Sequence, residues 1–279
     1  MSDLRHMDGA VSEKITSLQN GRVKAIRALD MRKTRRETGL FVAEGASVLL
    51  SARDAGWSLE TLVYLADRQQ DPGLQTLLGW ARDSGAECLS VSATVLGKLA
   101  AKDNPQSVLG VFKQRWSALP APPSVAADET WLVLEEVRDP GNLGTIIRTS
   151  DAVSVSGVVL VGNCCDPYSR EALRATMGSV FAVPLVRADV SDFLAWRESW
   201  PGDVVGLHLH GGEDFRSATY AAPQMIVMGS EGPGLSQAVS DACSKRVKIP
   251  MSGRLDSLNL AVATALTLYQ VRGPYLNVS

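Results

Sequence analysis

Three loops that follow predicted strands contain the residues whose types and spacing could do chemistry. The first loop, Arg138–Arg148, contains two glycines and places Asn142 and Arg148 six residues apart. Its glycines allow close backbone approach, and the N–H groups of the helix that follows could bind a phosphate or a carboxylate. Taken alone, these residues fit a plain turn at least as well, with Arg148 as an ordinary surface cation.

The second loop, Gly229–Ser236, holds three glycines, one proline and the carboxylate of Glu231 directly after an apolar run. A backbone of this composition can approach a flat or charged ligand closely. It is neither a phosphate-binding P-loop nor a dinucleotide fingerprint, because the motifs GK[ST] and GxGxxG are both absent. A carboxylate in the middle of such a loop favours a functional interpretation over a solvated crossover.

The third loop, Ile249–Leu260, leads into a final helix rich in small residues. Ser257 is a suitable N-cap for that helix, and capping would be an adequate structural reason for a serine there. Asn259 would then lie in the first turn, where helix propensity gives no reason for an asparagine. The small residues of the helix would let another backbone pack closely against it.

The elements that must position these loops form two predicted domains. Three prolines and several small residues make 117–130 an expected extended linker between an N-terminal domain, 1–116, and a C-terminal domain, 131–279. Strand-like and helical runs alternate before the linker, which predicts a small α/β domain. After it, six mostly apolar strand-like runs predict a buried parallel sheet covered by helices on both faces. Helices are expected at 145–152, 170–179, 191–200, 237–243 and 258–271.

The bulk composition is that of a globular protein, with 45% hydrophobic and 21% charged residues among 279. No run of about 18 apolar residues predicts a membrane span, and the polar N-terminus argues against export, so we expect a cytoplasmic protein. The four cysteines show no CxxC spacing, which predicts reduced thiols. His208 and His210 share a strand face without a third ligand, so we expect no metal site.

The net charge of −2 gives no indication of nucleic acid, but the charge is unevenly distributed. Between residues 20 and 40 there are seven basic and two acidic side chains. Such a surface could face RNA phosphates, although a solvated helix face explains the same charges. The residues predicted to contact RNA are Arg22, Lys24, Arg32, Lys33, Arg35 and Arg36.

Together, the three loops resemble the three sequence motifs of the SpoU (TrmH-like) family of RNA ribose methyltransferases, in the SPOUT superfamily. The matching residues are Asn142 with Arg148, the Gly229–Leu235 segment, and Ile249–Met251 followed by Ser257–Asn259. The resemblance covers the predicted C-terminal domain closely. The N-terminal part more weakly resembles a substrate-recognition domain related to a ribosomal-protein fold, through Leu40–Gly45 and Asp103–Val111.

The resemblance implies an enzyme that uses S-adenosylmethionine to methylate a ribose 2′-hydroxyl of RNA. It implies a parallel α/β sheet whose last loops thread into a trefoil knot, and a homodimer with the site at the interface. The extra basic N-terminal domain favours rRNA over tRNA as the substrate. The residues expected to bind the cofactor, largely through backbone groups, are Gly229, Ile249, Met251 and Leu258.

The resemblance makes Arg148 the central catalytic residue, reaching the cofactor of the partner subunit. A guanidinium is a poor general base because its pKa exceeds about 12. We therefore expect Arg148 to bind the phosphate beside the target ribose and to lower the cost of forming the alkoxide. Asn142 is expected to orient Arg148 or the ribose, and Glu231 to support the second loop and also Arg148. Ser257 and Asn259 are expected to fix the hydroxyl and the cofactor.

Two other functions stay open on the sequence alone. The chain could be an RNA-binding module that has kept the fold and lost catalysis, or an enzyme of the same superfamily that methylates a base nitrogen. The presence of all five expected catalytic residues argues against the first. The spacing from Asn142 to Arg148 and the Ser257–Asn259 segment favour the ribose over the base.

Overall fold

The chain divides into two compact units, residues 1–113 and 114–279. The computed structural model describes residues 14–100, 107–121, 124–209 and 212–276 of them. His210 and the first part of the Asp103–Val111 match therefore lie outside the described residues. Each unit is an α/β structure with its own sheet, as the sequence predicts.

The first unit contains a four-stranded mixed sheet in the order β1-β4-β2-β3. Strands β1 and β2 run antiparallel to β4, whereas β2 and β3 are parallel. The strands are β1 (Leu40–Glu44), β2 (Leu59–Leu65), β3 (Glu87–Val91) and β4 (Val108–Lys113). The helices are α1 (Gly21–Ala28), α2 (Arg32–Thr38), α3 (Ala46–Asp54), α4 (Pro72–Asp83) and α5 (Ala93–Leu99).

The second unit contains a seven-stranded sheet in the order β7-β6-β5-β10-β8-β11-β9, and every pairing in it is parallel. Its strands are β5 (Thr130–Glu135), β6 (Gly157–Val161), β7 (Leu185–Ala188), β8 (Asp203–Leu207), β9 (Glu213–Asp214), β10 (Gln224–Met228) and β11 (Lys245–Lys248). Its helices are α6 (Pro140–Ala152), α7 (Arg170–Thr176), α8 (Val190–Glu198), α9 (Gln237–Ala242) and α10 (Leu260–Arg272). The predicted parallel sheet is confirmed.

The central strands are buried along their whole length, which explains why their sequences are apolar on both faces. From β5 the chain proceeds outward through β6 and β7 and then returns to the other side of β5. The strand order therefore reverses at β5. In an open α/β sheet the crevice at the carboxyl ends of the strands, beside such a reversal, is where ligands bind.

Two predicted helix starts are wrong, and capping explains both. Helix α6 begins at Pro140 and not at residue 145, because Asp139 is its N-cap and accepts a hydrogen bond from the Asn142 N–H at 2.6 Å. Helix α10 begins at Leu260, and its N-cap is Asn259 and not Ser257. The capping function explains an asparagine that helix propensity alone did not.

Residues 114–117, which lead into the predicted linker, pack along the edge of the second unit's sheet. The Ser117 N–H donates to the Leu185 carbonyl at 2.8 Å, beside strand β7. The Arg187 guanidinium lies 3.5 Å from the centre of the Trp116 ring. Residues 114–117 are thus held against the β7 edge by backbone and side-chain contacts.

No helix in the described ranges combines the length and the apolar character needed to cross a bilayer. Within the same ranges, no group of three or more His, Cys, Asp or Glu side chains is arranged to hold a metal ion.

Candidate active site

A chain of two side-chain hydrogen bonds joins the three loops that the sequence singles out. The Asn259 amide donates through Nδ2 to Asn142 Oδ1 at 2.9 Å. Asn142 in turn donates through its own Nδ2 to Glu231 Oε1 at 3.0 Å. These bonds connect residues 117 and 89 positions apart in the sequence. One residue from each loop is therefore in direct contact with a residue of another loop.

Each member of this chain is placed by a local structural device. Asn142 lies in the first turn of α6, where the cap at Asp139 fixes its backbone. Asn259 is held as an N-cap, because its Oδ1 accepts from the N–H groups of Ala261 and Val262 at 2.9 and 3.3 Å. Its Nδ2 group is then left to face Asn142. The oxygen of the Asn259 amide thus caps α10, and its nitrogen donates the hydrogen bond to Asn142.

Glu231 receives several hydrogen bonds that favour its charged form. Partial burial alone would raise the pKa of this carboxyl, but hydrogen bonds from the Asn142 amide and from backbone N–H groups, including that of Arg138, lower it below its usual value. The Arg138 N–H donates to Glu231 Oε2 at 3.2 Å. Glu231 is therefore a carboxylate at neutral pH that ties the second loop to the start of α6.

The second loop turns back on itself so tightly that one glycine is required for steric reasons. A Cβ at Gly229 would lie 2.0 Å from the Gly234 carbonyl carbon, far inside van der Waals contact. Ser230 and Gly234 exchange two backbone hydrogen bonds of 3.1 Å, which close the turn. Gly232 and Gly234 have positive φ angles of 103° and 74°, which favour glycine.

The third loop is exposed where the sequence places most of the expected cofactor contacts. Ile249 is half-buried, whereas residues 250–259 are all exposed. Among them are Met251 and Leu258, with 39% and 37% of their surface accessible. Ser257 is exposed as well and makes no hydrogen bond to any residue that the structure describes. Apolar side chains left uncovered beside a polar network are typical of a surface that binds a ligand or a partner.

Arg148 is not part of the network that joins the loops. It is the ninth residue of α6 and so lies more than two turns from the helix start, because α6 begins at Pro140 and not at residue 145. Six residues correspond to about 9 Å along a helix and about 120° around it, so Arg148 and Asn142 face different directions. Arg148 is exposed and contacts no hydrogen-bond or ion-pair partner in the part of the chain that the structure describes.

Two consecutive glutamates at the end of β5 belong to the same region and were missed by the sequence analysis. Glu135 is buried and accepts from the Ser236 N–H at 2.8 Å. Glu136 accepts from the Asn163 N–H at 2.7 Å and pairs with the Arg138 guanidinium. The signal was present in the sequence, since two acidic residues end an otherwise apolar strand that must be buried on both faces.

The first unit has a separate basic surface on α1 and α2. Five of the six predicted RNA-contacting side chains are exposed there: Arg22, Lys24, Arg32, Lys33 and Arg36. Two of them have acidic neighbours, since Arg22 pairs with Glu87 and Lys33 lies 3.8 Å from Glu37. Together the five side chains form an exposed basic surface on α1 and α2.

The prediction for the sixth residue, Arg35, is wrong. Only 4% of its surface is accessible. Its Nη1 donates to the carbonyl oxygens of Leu29 and Asp30 at 2.8 and 2.9 Å, directly after α1. Arg35 therefore stabilises the turn between α1 and α2. Its guanidinium donates to carbonyls after the end of α1 that have no donor within the helix.

Two family models match this chain. Residues 129–269 match the SpoU rRNA Methylase family. Residues 20–110 match the MRM3-like substrate binding domain. The first match contains all three loops of the candidate site, and the second contains the basic surface on α1 and α2.

Similar proteins extend over nearly the whole chain. A crystal structure of an AdoMet-bound rRNA methyltransferase from Sinorhizobium meliloti is 42% identical, covers 95% of this chain and 99% of its own, and superimposes with a TM-score of 0.88. The 23S rRNA (uridine(2479)-2′-O)-methyltransferase of Streptomyces viridochromogenes is 31% identical over 93% of this chain and 91% of its own length. The 23S rRNA (guanosine(2553)-2′-O)-methyltransferase of Bacillus subtilis (strain 168) is 27% identical over 94% of this chain and all of its own.

Proposed function

The chain belongs to the SpoU rRNA methylase family, and on that premise we propose that it methylates a ribose 2′-hydroxyl of ribosomal RNA with S-adenosylmethionine as the methyl donor. The observation that supports this most directly is the contact of Asn259 with Asn142 and of Asn142 with Glu231. These contacts bring the family's three motifs into one site. Two relatives named as 23S rRNA 2′-O-methyltransferases and a similar AdoMet-bound structure support the substrate and the cofactor.

The residues of the second and third loops fit an adenosyl cofactor. Around Gly232 and Gly234 a Cβ would meet no atom within 4 Å, so the loop offers bare peptide groups to open space. Peptide N–H and C=O groups are suitable partners for an adenine and a ribose. Gly229, Ile249, Met251 and Leu258 are the proposed cofactor-binding residues, with the exposed side chains of Met251 and Leu258 covering the apolar face of the adenine.

The chemistry assigned to the protein is positioning and charge stabilisation. S-adenosylmethionine, when bound, supplies a methyl group on a sulfonium centre for an in-line displacement. Arg148 binds the phosphate beside the target ribose, that phosphate accepts the 2′-hydroxyl proton, and the guanidinium stabilises the oxygen anion that displaces the methyl group from the sulfonium. Ser257 and Asn259 orient the hydroxyl, and Glu231 with Asn142 keeps the second loop in place.

The exposed position of Arg148 supports a role in the site of a second subunit. Its helix, α6, packs against α10. Helix α10 leaves an apolar stripe uncovered, in which Val262, Leu266 and Tyr269 are 49%, 43% and 53% accessible. Their i, i+4, i+7 spacing puts them on one helix face. We assign this stripe to a homodimer interface, in which Arg148 of the partner subunit reaches the cofactor site.

The first unit is assigned to substrate recognition. Its exposed basic residues Arg22, Lys24, Arg32, Lys33 and Arg36 are suited to contact phosphates of a structured RNA without reading its bases. The match to the MRM3-like substrate binding domain supports this division of labour. The proposed domains are those expected from the sequence, 1–116 for RNA recognition, 117–130 as the connection and 131–279 for methyl transfer, although residues 114–116 pack with the second unit. The cytoplasm is the proposed location, as expected from the sequence.

The test is incorporation of a labelled methyl group into defined RNA. Unmodified 23S rRNA, 16S rRNA and total tRNA would be incubated separately with the full chain and S-adenosylmethionine carrying a tritiated methyl. Digestion to nucleosides should yield a labelled 2′-O-methyl nucleoside from one rRNA. A labelled base-methylated nucleoside would contradict the assignment to the ribose, and incorporation into tRNA alone would contradict the assignment to rRNA.

A further inference from the structure

Glu135 is a buried carboxylate that the proposed mechanism does not use. It ends strand β5, and 3% of its surface is accessible. Among the described residues its side chain accepts one hydrogen bond, from the Ser236 N–H at 2.8 Å. No lysine or arginine among those residues forms an ion pair with it. A carboxylate buried without an ion-pair partner lowers the free energy of unfolding. The fold therefore gains little from a glutamate here.

The partner of Glu135 marks the point where the second loop ends. Ser236 is the N-cap of α9, and its Oγ accepts from the Val239 N–H at 3.3 Å. The loop starts at Gly229, directly after β10, the strand that pairs with β5. A single hydrogen bond to Glu135 thus fixes the last residue of the loop relative to β5.

The middle of the loop is fixed from the same short segment of chain. Glu231 is held by the Arg138 N–H and by the Asn142 side chain. Both attachments of the loop, at Glu231 and at Ser236, therefore come from residues 135–142. A loop with three glycines has high conformational entropy when it is not attached, so such attachments decide how well it is preorganised for a ligand.

We propose that Glu135 is a positioning residue for methyl transfer, which holds the exit of the second loop in the conformation that binds the cofactor without touching the cofactor itself. This inference rests on the proposed function, since it takes S-adenosylmethionine as the ligand of that loop. It also gives a reason for a carboxylate at a position where an apolar side chain would favour folding. Cofactor affinity and folding stability should therefore respond in opposite directions when the carboxylate is removed.

The experiment compares Glu135→Met with Glu135→Gln. Methionine matches the length of glutamate and removes the acceptor, whereas glutamine retains one carbonyl oxygen for the Ser236 N–H. Calorimetric titration with S-adenosylhomocysteine should give a dissociation constant about ten-fold weaker for the Met variant and within about three-fold of wild type for the Gln variant. The urea midpoint of the Met variant should equal or exceed that of the wild type.

Thr130→Val is the matched control, because Thr130 begins the same strand and makes a buried hydrogen bond of 3.0 Å to Gln224 on β10. It should lower stability and leave S-adenosylhomocysteine affinity unchanged. Wild-type affinity in the Met variant would overturn the Glu135 proposal alone. Failure of the Met variant to fold, or a loss of stability like that of the control, would also overturn it. Absence of binding by the wild type would overturn the proposed function as well.

Discussion

Asn259 caps helix α10 with its side-chain oxygen and donates its side-chain amide to Asn142 Oδ1 at 2.9 Å. The two roles are possible at once because an asparagine amide has an acceptor on one side and donors on the other. A serine or aspartate would cap the helix equally well but would lack the two N–H donors. Both the helix cap and the site therefore favour an asparagine at this position, and its contacts connect the start of α10 to the start of α6.

The charge on Glu231 predicts a pH dependence of stability. Hydrogen bonds lower the pKa of Glu231 from its usual 4.5, so the native state binds the proton less readily than the unfolded state. The contribution of the charged form is therefore present above pH 4.5 and is lost as the pH falls through the lowered native pKa. Urea unfolding should show the wild type more stable than Glu231→Gln from about pH 8 to about pH 5. The two should converge at lower pH, and a constant difference down to acid pH would contradict this account.

Gly229→Ala should disrupt the backbone conformation of the second loop. A Cβ at this position would lie 2.0 Å from the Gly234 carbonyl carbon and 2.2 Å from the Leu235 nitrogen, and both are backbone atoms that cannot move aside separately. We expect methyl transfer to fall by more than about a hundred-fold, because the peptide groups that bind the cofactor are displaced. The control is Gly79→Ala in α4, where a Cβ meets nothing within 4 Å. That variant should retain full activity, and equal activities of the two variants would show that the tight turn is irrelevant.

Arg148→Ala should separate binding from catalysis. Arg148 is proposed to stabilise the transition state and not the bound cofactor. The variant should therefore bind S-adenosylhomocysteine with nearly wild-type affinity, and its kcat should fall at least about a hundred-fold. Arg53→Ala, in the first unit, is a control at an arginine paired with its own neighbour Asp54. Equal loss of binding and catalysis in Arg148→Ala would contradict its role.

The same variant tests whether Arg148 acts in the partner subunit's site. In a heterodimer that tests this, one subunit carries Arg148→Ala and the other carries Gly229→Ala. If the arginine acts across the interface, one of the two sites combines an intact second loop with an intact arginine. Co-expressed and tag-purified heterodimers should then recover about half of wild-type activity, although both homodimers are inactive. Inactive heterodimers would place Arg148 in its own subunit's site.

The neighbouring residues Arg35 and Arg36 should behave differently although both are arginines. Arg35→Met removes buried charge-assisted bonds to the carbonyls of Leu29 and Asp30 and should cost about 2 to 3 kcal/mol of unfolding free energy. Arg36→Met, at an exposed site, should change stability by less than about 0.5 kcal/mol. It should instead lower the salt dependence of binding to a 23S rRNA transcript by about one unit in slope. A stability loss in Arg36→Met equal to that of Arg35→Met would contradict the assignment.

The sheet of the second unit could be predicted because its strands are buried on both faces. Strands β5, β6 and β10 are apolar at nearly every position, and that pattern admits few alternatives to a covered parallel sheet. The positions of the three loops follow, since loops at the carboxyl ends of such strands converge. The site could therefore be located from sequence, although its internal contacts could not.

Some details could not be predicted because neighbouring residues fit the same structural role equally well by their type. Both Ser257 and Asn259 are good N-caps by residue type, and in the structure Asn259 is the cap and also contacts Asn142. The Asp139–Pro140 pair is a strong helix start, but Asp-Pro-Gly-Asn also fits a turn equally well by residue type. Arg35 looks like its exposed neighbours in sequence, because burial of one arginine in a basic run is decided by the carbonyls that α1 presents to it.

The measurement that tests the central claim most directly is a crystal structure of the full chain with S-adenosylhomocysteine. The account predicts that the ligand lies between the second and third loops, in contact with Gly229, the Ile249–Met251 segment and Leu258, with Arg148 of the partner subunit facing the sulfur. A ligand bound elsewhere on the chain, or the three loops separated and Asn142 out of contact with both Glu231 and Asn259, would contradict it.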